Sequence, residues 1–156
     1  MSEKSLKQRL RAFQKEMHGV EIIKNTKAYG YNYATLKDIL FVIEPILDEH
    51  GIWYQHNTGF DHDSKQNTVH TFIYSVDNED DRESCTTLID KEATLAKMNR
   101  FMIEGSAITY FRRYHITTLL GLTTDEDTDA GGKKVEKGGR SVEAASGNAG
   151  PDFEAI

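Results

Sequence analysis

The chain has one cysteine, Cys85, in 156 residues, so no intrachain disulfide can form and no CxxC or Cys/His metal spacing exists. It has no apolar run long enough to cross a bilayer. The opening MSEKSLKQRLR is charged rather than apolar, so neither a transmembrane helix nor a secretory signal is expected. It also lacks a positive excess: the net charge is −6, which by itself argues against a nucleic-acid partner. A phosphate-binding P-loop is missing too. Gly131-Gly132-Lys133-Lys134 has the wrong spacing and no flanking strand and helix, which excludes nucleotide hydrolysis by that route. These absences leave a soluble, cytoplasmic, single-core protein as the expectation.

The charge that is present is unevenly distributed. Residues 1–37 sum to +5, 38–90 to −10, 91–124 to +3 and 125–156 to −4. A basic beginning and a basic late helix can form one positive surface while the acid stands elsewhere; a mixed-charge surface is the ordinary alternative.

Along the chain, Leu6, Leu10, Phe13 and Met17 recur at helical spacing within residues 4–18, and Gly19 ends that helix. Val20 to Lys24 reads as a short strand leading into Tyr29-Gly30-Tyr31-Asn32-Tyr33. In extended backbone these three tyrosines share a face, suited either to stacking bases or to core packing. Thr35 with Asp38 predicts a helix start, and Leu36, Ile39, Leu40, Ile43, Ile46 and Leu47 carry it to His50 and Gly51. Pro45 predicts a kink or break inside it.

Residues 52–90 read as a three-stranded antiparallel meander: Ile52–Thr58, Thr68–Val76 and Ser84–Ile89. The turns fall at Gly59–Gln66 and at the acidic run Asp77–Glu83. The acids of those turns, Asp61 to Asp63 and Asp77 to Asp81, are better solvated turn formers than metal ligands. A long helix then opens at Lys97 or Met98 and runs to Leu120. Gly105 inside it suggests a break or a close backbone approach.

At about 100° per residue, Phe101, Ile108, Phe111, Tyr114, Leu119 and Leu122 form the apolar face of this helix. Ser106, Thr109, Tyr110, Arg113 and Thr117 lie opposite. Arg112 projects inside the apolar arc, where a charge must be paired or must await a charged partner. Arg112 and Arg113, with Lys97 and Arg100 before them, read either as a phosphate clamp or as one solvated and one acid-paired arginine. Ser106 sits mid-helix with no acid placed to orient a base, so no nucleophilic site is expected. Residues 125–156, rich in Gly, Ala, Ser and Lys, have no periodicity and read as a disordered tail ending in Asp152-Phe153-Glu154-Ala155-Ile156.

Two stretches resemble the motifs of the ERF (essential recombination function) family of phage single-strand annealing proteins. The first is Tyr31-Asn32-Tyr33-Ala34-Thr35-Leu36-Lys37-Asp38-Ile39 with Ile43-Glu44-Pro45-Ile46-Leu47 and Gly51. The second is Gly105-Ser106-Ala107-Ile108-Thr109-Tyr110, then Arg112-Arg113-Tyr114 and Leu119-Leu120-Gly121-Leu122, with Asp125 to Asp129 behind. Together they bracket residues 29–129, with the first helix and the tail outside.

The pattern predicts an α+β domain over residues 1–124 followed by a tail over 125–156, and the resemblance implies that the domain is built on a β-β-β-α annealing core. It implies a non-enzymatic protein, without cofactor or metal, that binds single-stranded DNA and anneals complementary strands without ATP. Its setting would be the host bacterial cytoplasm, as a ring or filament of like subunits. An exonuclease or single-strand-binding protein would be a partner through the tail. DNA contacts are expected at Arg112 and Arg113, with Lys97, Arg100, Tyr110, Tyr31 and Tyr33 contributing. The acidic meander departs from this pattern. It keeps open a protein-interaction adaptor that acts without DNA.

Overall fold

The computed structural model describes residues 3–28 and 31–123; the expected tail, Tyr29 and the terminal Asp152–Ile156 motif lie outside them. Helix α1 (Leu6–Met17) starts on a capping box, with the Ser5 hydroxyl accepting from the Gln8 amide and the Gln8 side chain accepting from the Ser5 amide. Its apolar stripe buries Leu6, Phe13 and Met17. A hairpin of β1 (Thr26–Ala28) and β2 (Tyr31–Tyr33) follows, with Thr26 opposite Tyr33. Helix α2 (Leu36–Glu49) begins on the reciprocal Thr35–Asp38 box and buries Ile39, Ile43 and Leu47.

Strands β3 (Ile52–Asp61), β4 (Gln66–Ser75) and β5 (Asn78–Leu88) form an antiparallel sheet in the order β3-β4-β5, and α3 (Arg100–Leu120) closes the fold. The fold is α+β, as expected. The helices cover one sheet face, on which Ile52, Val69, Thr71, Ile73, Ser75 and Ile89 are buried. The other face is open. There Trp53 packs on Tyr74, and the Tyr74, Phe72 and His70 rings run in succession under Arg82.

Several expectations change. Val20 to Lys24 is not a strand, because the extended hairpin lies later and Ile22 simply packs against the core. Pro45 does not break α2: it stands on the exposed side, where the carbonyl it leaves without a donor can be hydrated. The acidic run is mostly strand, since β5 begins at Asn78. It lies at the sheet edge, paired only to β4, so most of its carboxylates stay in water.

Two of these acids also secure α1. Asp77 pairs with Arg9, and the Asp81 carboxylate accepts from the Leu6 amide at the positive end of that helix. Gly51 is held at φ +64, and a Cβ there would meet the Arg9 guanidinium at 2.1 Å. Glycine is therefore required where α2 turns into β3.

Helix α3 starts at Arg100, capped by Asn99, because Lys97 adopts a left-handed backbone (φ 64) that a helix cannot include. It is unbroken at Gly105, and nothing in the structure requires glycine there. Its buried face also differs from the expected arc: Ile103, Ala107, His115, Ile116, Thr117 and Leu120 are buried, while Phe101 is 88% exposed.

The helix serves two clusters with two faces. Its first half packs Ala107, Ile108 and Phe111 with Val69 and Ile89. Its second half sends Ile116 and Leu120 into the main core of α1, α2 and the sheet. A single 100° stripe misses that rotation.

Phe13, fully buried, ties α1 to this core. Phe13→Ala is expected to lower unfolding stability by about 3–5 kcal/mol in urea titrations. A loss below about 1 kcal/mol would mean that α1 is not part of the cooperative unit.

Candidate nucleic-acid interface

The capping box at Thr35 sets α2 directly after β2 and leaves the Ala34 carbonyl in reach of α3. Arg113 donates to that carbonyl at 3.1 Å. Its guanidinium carbon lies 5.2 Å from the Tyr114 ring centroid, 5.4 Å from Tyr33 and 6.0 Å from Tyr110, within cation–π range of all three. One anchored donor and three rings fix the fork, which has further N–H groups to offer. Beside it a cavity of about 560 Å³ opens between α2, β2 and α3, lined by Tyr33, Leu36, Lys37, Leu40, Phe41 and Tyr110 among others. Phe41, 81% exposed, stands at its rim, and Glu44 is the acid in its wall.

Arg112 is directed elsewhere. Its charge acts on Tyr54 and His56 of β3, so it faces the sheet rather than the cavity. Its Nε is buried without a hydrogen-bond partner, and no ion pair of Arg112 occurs among the described residues. Tyr54 donates to Glu44 at 2.6 Å. Burial first, then that hydrogen bond and the Glu44 charge, push the Tyr54 hydroxyl up to about 12, with Arg112 opposing.

Next to Arg112 runs a polar chain across the sheet. His56 Nδ1 lies 2.8 Å from Thr71 Oγ1, which lies 3.1 Å from His115 Nδ1; His115 Nε2 lies 2.7 Å from Thr87 Oγ1. The inner atoms are satisfied whichever way the protons point. The direction decides whether His56 Nε2, buried without a partner, carries hydrogen. Burial chiefly, then Arg112 and His115, bring the His56 imidazole down to about 4. His115 is lowered by burial and then by His70.

Of the sequence-predicted residues, Tyr33, Tyr110 and Arg113 converge on the cavity, and Tyr31 lies two positions away on β2. Arg112 does not join them. Arg100 bonds the Asp90 and Lys91 carbonyls and pairs with Glu104 at 3.5 Å. At 1.5 Å per residue it stands about 20 Å from Arg113 along α3, with Lys97 beyond it. Sequence reasoning missed Lys37, Phe41 and Tyr114. Lys37 was inside the first motif, and Tyr110 and Tyr114 flank Arg113 at helical spacing, so both signals were present. Among the described residues no group of three or more His, Cys, Asp or Glu could hold a metal ion, and no helix is long and apolar enough to cross a membrane.

His56 stays neutral in the fold to about pH 4, whereas an unfolded chain protonates its histidines near 6.5. Between those values the unfolded state binds more protons, so stability falls as pH drops through this window. Urea midpoints measured from pH 7 to 4.5 are expected to fall for the wild type and to fall less for His56→Gln. Parallel curves would show that His56 is not held neutral.

The family model described as the ERF superfamily matches residues 5–148, so the match takes in α1 as well as the two motifs. No curated protein and no solved structure matches the chain significantly. The family model spans far more than half of the sequence, and the chain belongs to the ERF superfamily.

Proposed function

We propose that the protein binds single-stranded DNA in the cavity between α2 and α3 and promotes ATP-independent annealing of complementary strands. Membership in the ERF superfamily supports a recombination or annealing function in general. The observation that carries the finer reading is Arg113, fixed by Ala34 and three tyrosines at the mouth of an aromatic cavity that also holds Lys37. A guanidinium anchored by one donor keeps others for phosphate oxygens, and little side-chain entropy is lost on binding. Tyr33, Phe41 and Tyr110 offer apolar surface on which unpaired bases stack whatever their sequence.

Glu44 in the wall opposes a phosphate. The Tyr54 hydroxyl donates to that carboxylate and so occupies one of its oxygens. Lys97 and Arg100 stand too far from Arg113 to share this cavity. Annealing needs no bond chemistry. The strand must be held extended while a complement samples registers, and repeated weak contacts along an assembly of like subunits supply the hold.

With Lys37 and Arg113 each neutralising one phosphate, the log–log salt slope of affinity should be near −1.4 per protomer, at roughly 0.7 per phosphate. Arg113→Ala is expected to weaken oligonucleotide binding about 10- to 100-fold, as for a charge-assisted hydrogen bond. It should also reduce the slope by about 0.7, while loss of the donor to the Ala34 carbonyl lowers unfolding stability by about 1–3 kcal/mol without unfolding the chain. No mobility shift at about 50 mM salt, where phosphate contacts are strong, would reject the reading and leave the adaptor role.

A further inference from the structure

The cavity between α2 and α3 has a polarity of its own. Lys37, Leu40, Phe41 and Glu44 stand at i, i+3, i+4 and i+7 on α2, so one face of that helix lines it. The cation is in the first turn, and the acid is two turns on, about 10 Å along the axis. Arg113 joins the cationic end, because the Ala34 carbonyl that holds it lies just before the start of α2. Between the two ends the lining is apolar, with Leu40 and Phe41 from α2 and Tyr110 from α3.

Glu44 is held rather than loose. Its Oε1 accepts from the Tyr54 hydroxyl at 2.6 Å, a bond from β3 that fixes the carboxylate at the cavity wall. No other hydrogen bond or ion pair of Glu44 occurs among the described residues. Its second oxygen is therefore left to accept from a ligand.

A nucleotide has the same polarity. Its phosphate suits Arg113 and Lys37, and its ring suits the apolar middle. The far edge of the ring decides what Glu44 meets. Cytosine, adenine and guanine carry an exocyclic amino group, whereas thymine presents carbonyl oxygens on either side of a single N–H. A carboxylate accepts from the amino group and is repelled by the carbonyls.

We propose that the cavity takes one unstacked nucleotide of the bound strand, with Glu44 as the residue that favours an amino-bearing base over thymine. The proposal rests on the reading of this cavity as the DNA site. It adds a base preference that phosphate contacts and ring stacking do not give. Bases on either side of the one in the cavity stay outside, exposed to a complement.

The test measures fluorescence anisotropy of oligo(dC) and oligo(dU) of equal length with the full chain at neutral pH. Uracil is thymine without its methyl group, so the two strands differ only at the edge that meets Glu44. The wild type should bind oligo(dC) about 10-fold more tightly, within the range that one good base contact gives. Glu44→Gln keeps the shape but offers an amide that both donates and accepts, so the two affinities should converge. Equal affinities in the wild type, or a preference that Glu44→Gln leaves intact, would overturn the inference and leave the cavity as a DNA site. Failure of both strands to bind would reject that underlying reading, and this inference with it. If circular dichroism shows Glu44→Gln unfolded, Glu44→Ala removes the acceptor outright and is measured in its place, with the same expected outcomes.

Discussion

One helix of 21 residues closes two separate clusters, and it must turn a different face to each. That requirement shapes what surrounds it. Residues that face the sheet in the first half give way to residues that face α1 and α2 in the second. The positions between, Arg112, Arg113, His115 and Thr117, fall at the changeover. There a side chain borders the sheet, α2 or β2 within a few residues of its neighbour. Consecutive arginines therefore part company. Arg113 emerges against Ala34 and the tyrosines, while Arg112 enters the space over β3.

The polar layer follows from the same changeover. The sheet meets α3 there with Thr71 and Thr87, and the helix answers with His115 rather than with another aliphatic group. Hydroxyls and imidazoles satisfy one another without ionising, which is the form that burial favours. Arg112 then adds a cation that no acid among the described residues pairs with. Its first effect is to hold His56 further in the neutral state, and its second is to oppose the rise that burial and Glu44 impose on Tyr54. A cation so placed is costly for the fold alone.

The elements legible from sequence were those whose signal is local. The capping residue Thr35, the stripe of α2, and the alternation of His70, Phe72 and Tyr74 each need only neighbouring residues to be read. The family motifs were legible for the same reason. What failed depended on remote partners. Asp77 and Asp81 looked like turn formers because the sequence does not show that Arg9 and the first amide of α1 come beside them. The apolar arc of α3 was misread because a periodicity average assumes one partner surface. Lys37 and Phe41 were invisible as site residues until α2 and α3 were set side by side across a cavity. Tyr33 and Arg113, by contrast, were named from their motifs and do meet.

Net charge gives the poorest guide to this molecule, because opposite charges have been sorted to different places rather than mixed. Acid from the meander accumulates on the edge strand β5 and the β4–β5 turn. Part of it is spent on α1, where Asp77 meets Arg9 and Asp81 meets the amide at the helix start. Lys37 and Arg113 stand on the far side of α2, beside the cavity. Screening over about 8–10 Å at physiological salt confines each field to its own region. A phosphate at the cavity therefore feels Lys37, Arg113 and Glu44, not the acids of a remote strand. A chain of charge −6 can on these terms hold a polyanion at one surface while its acid stands at another.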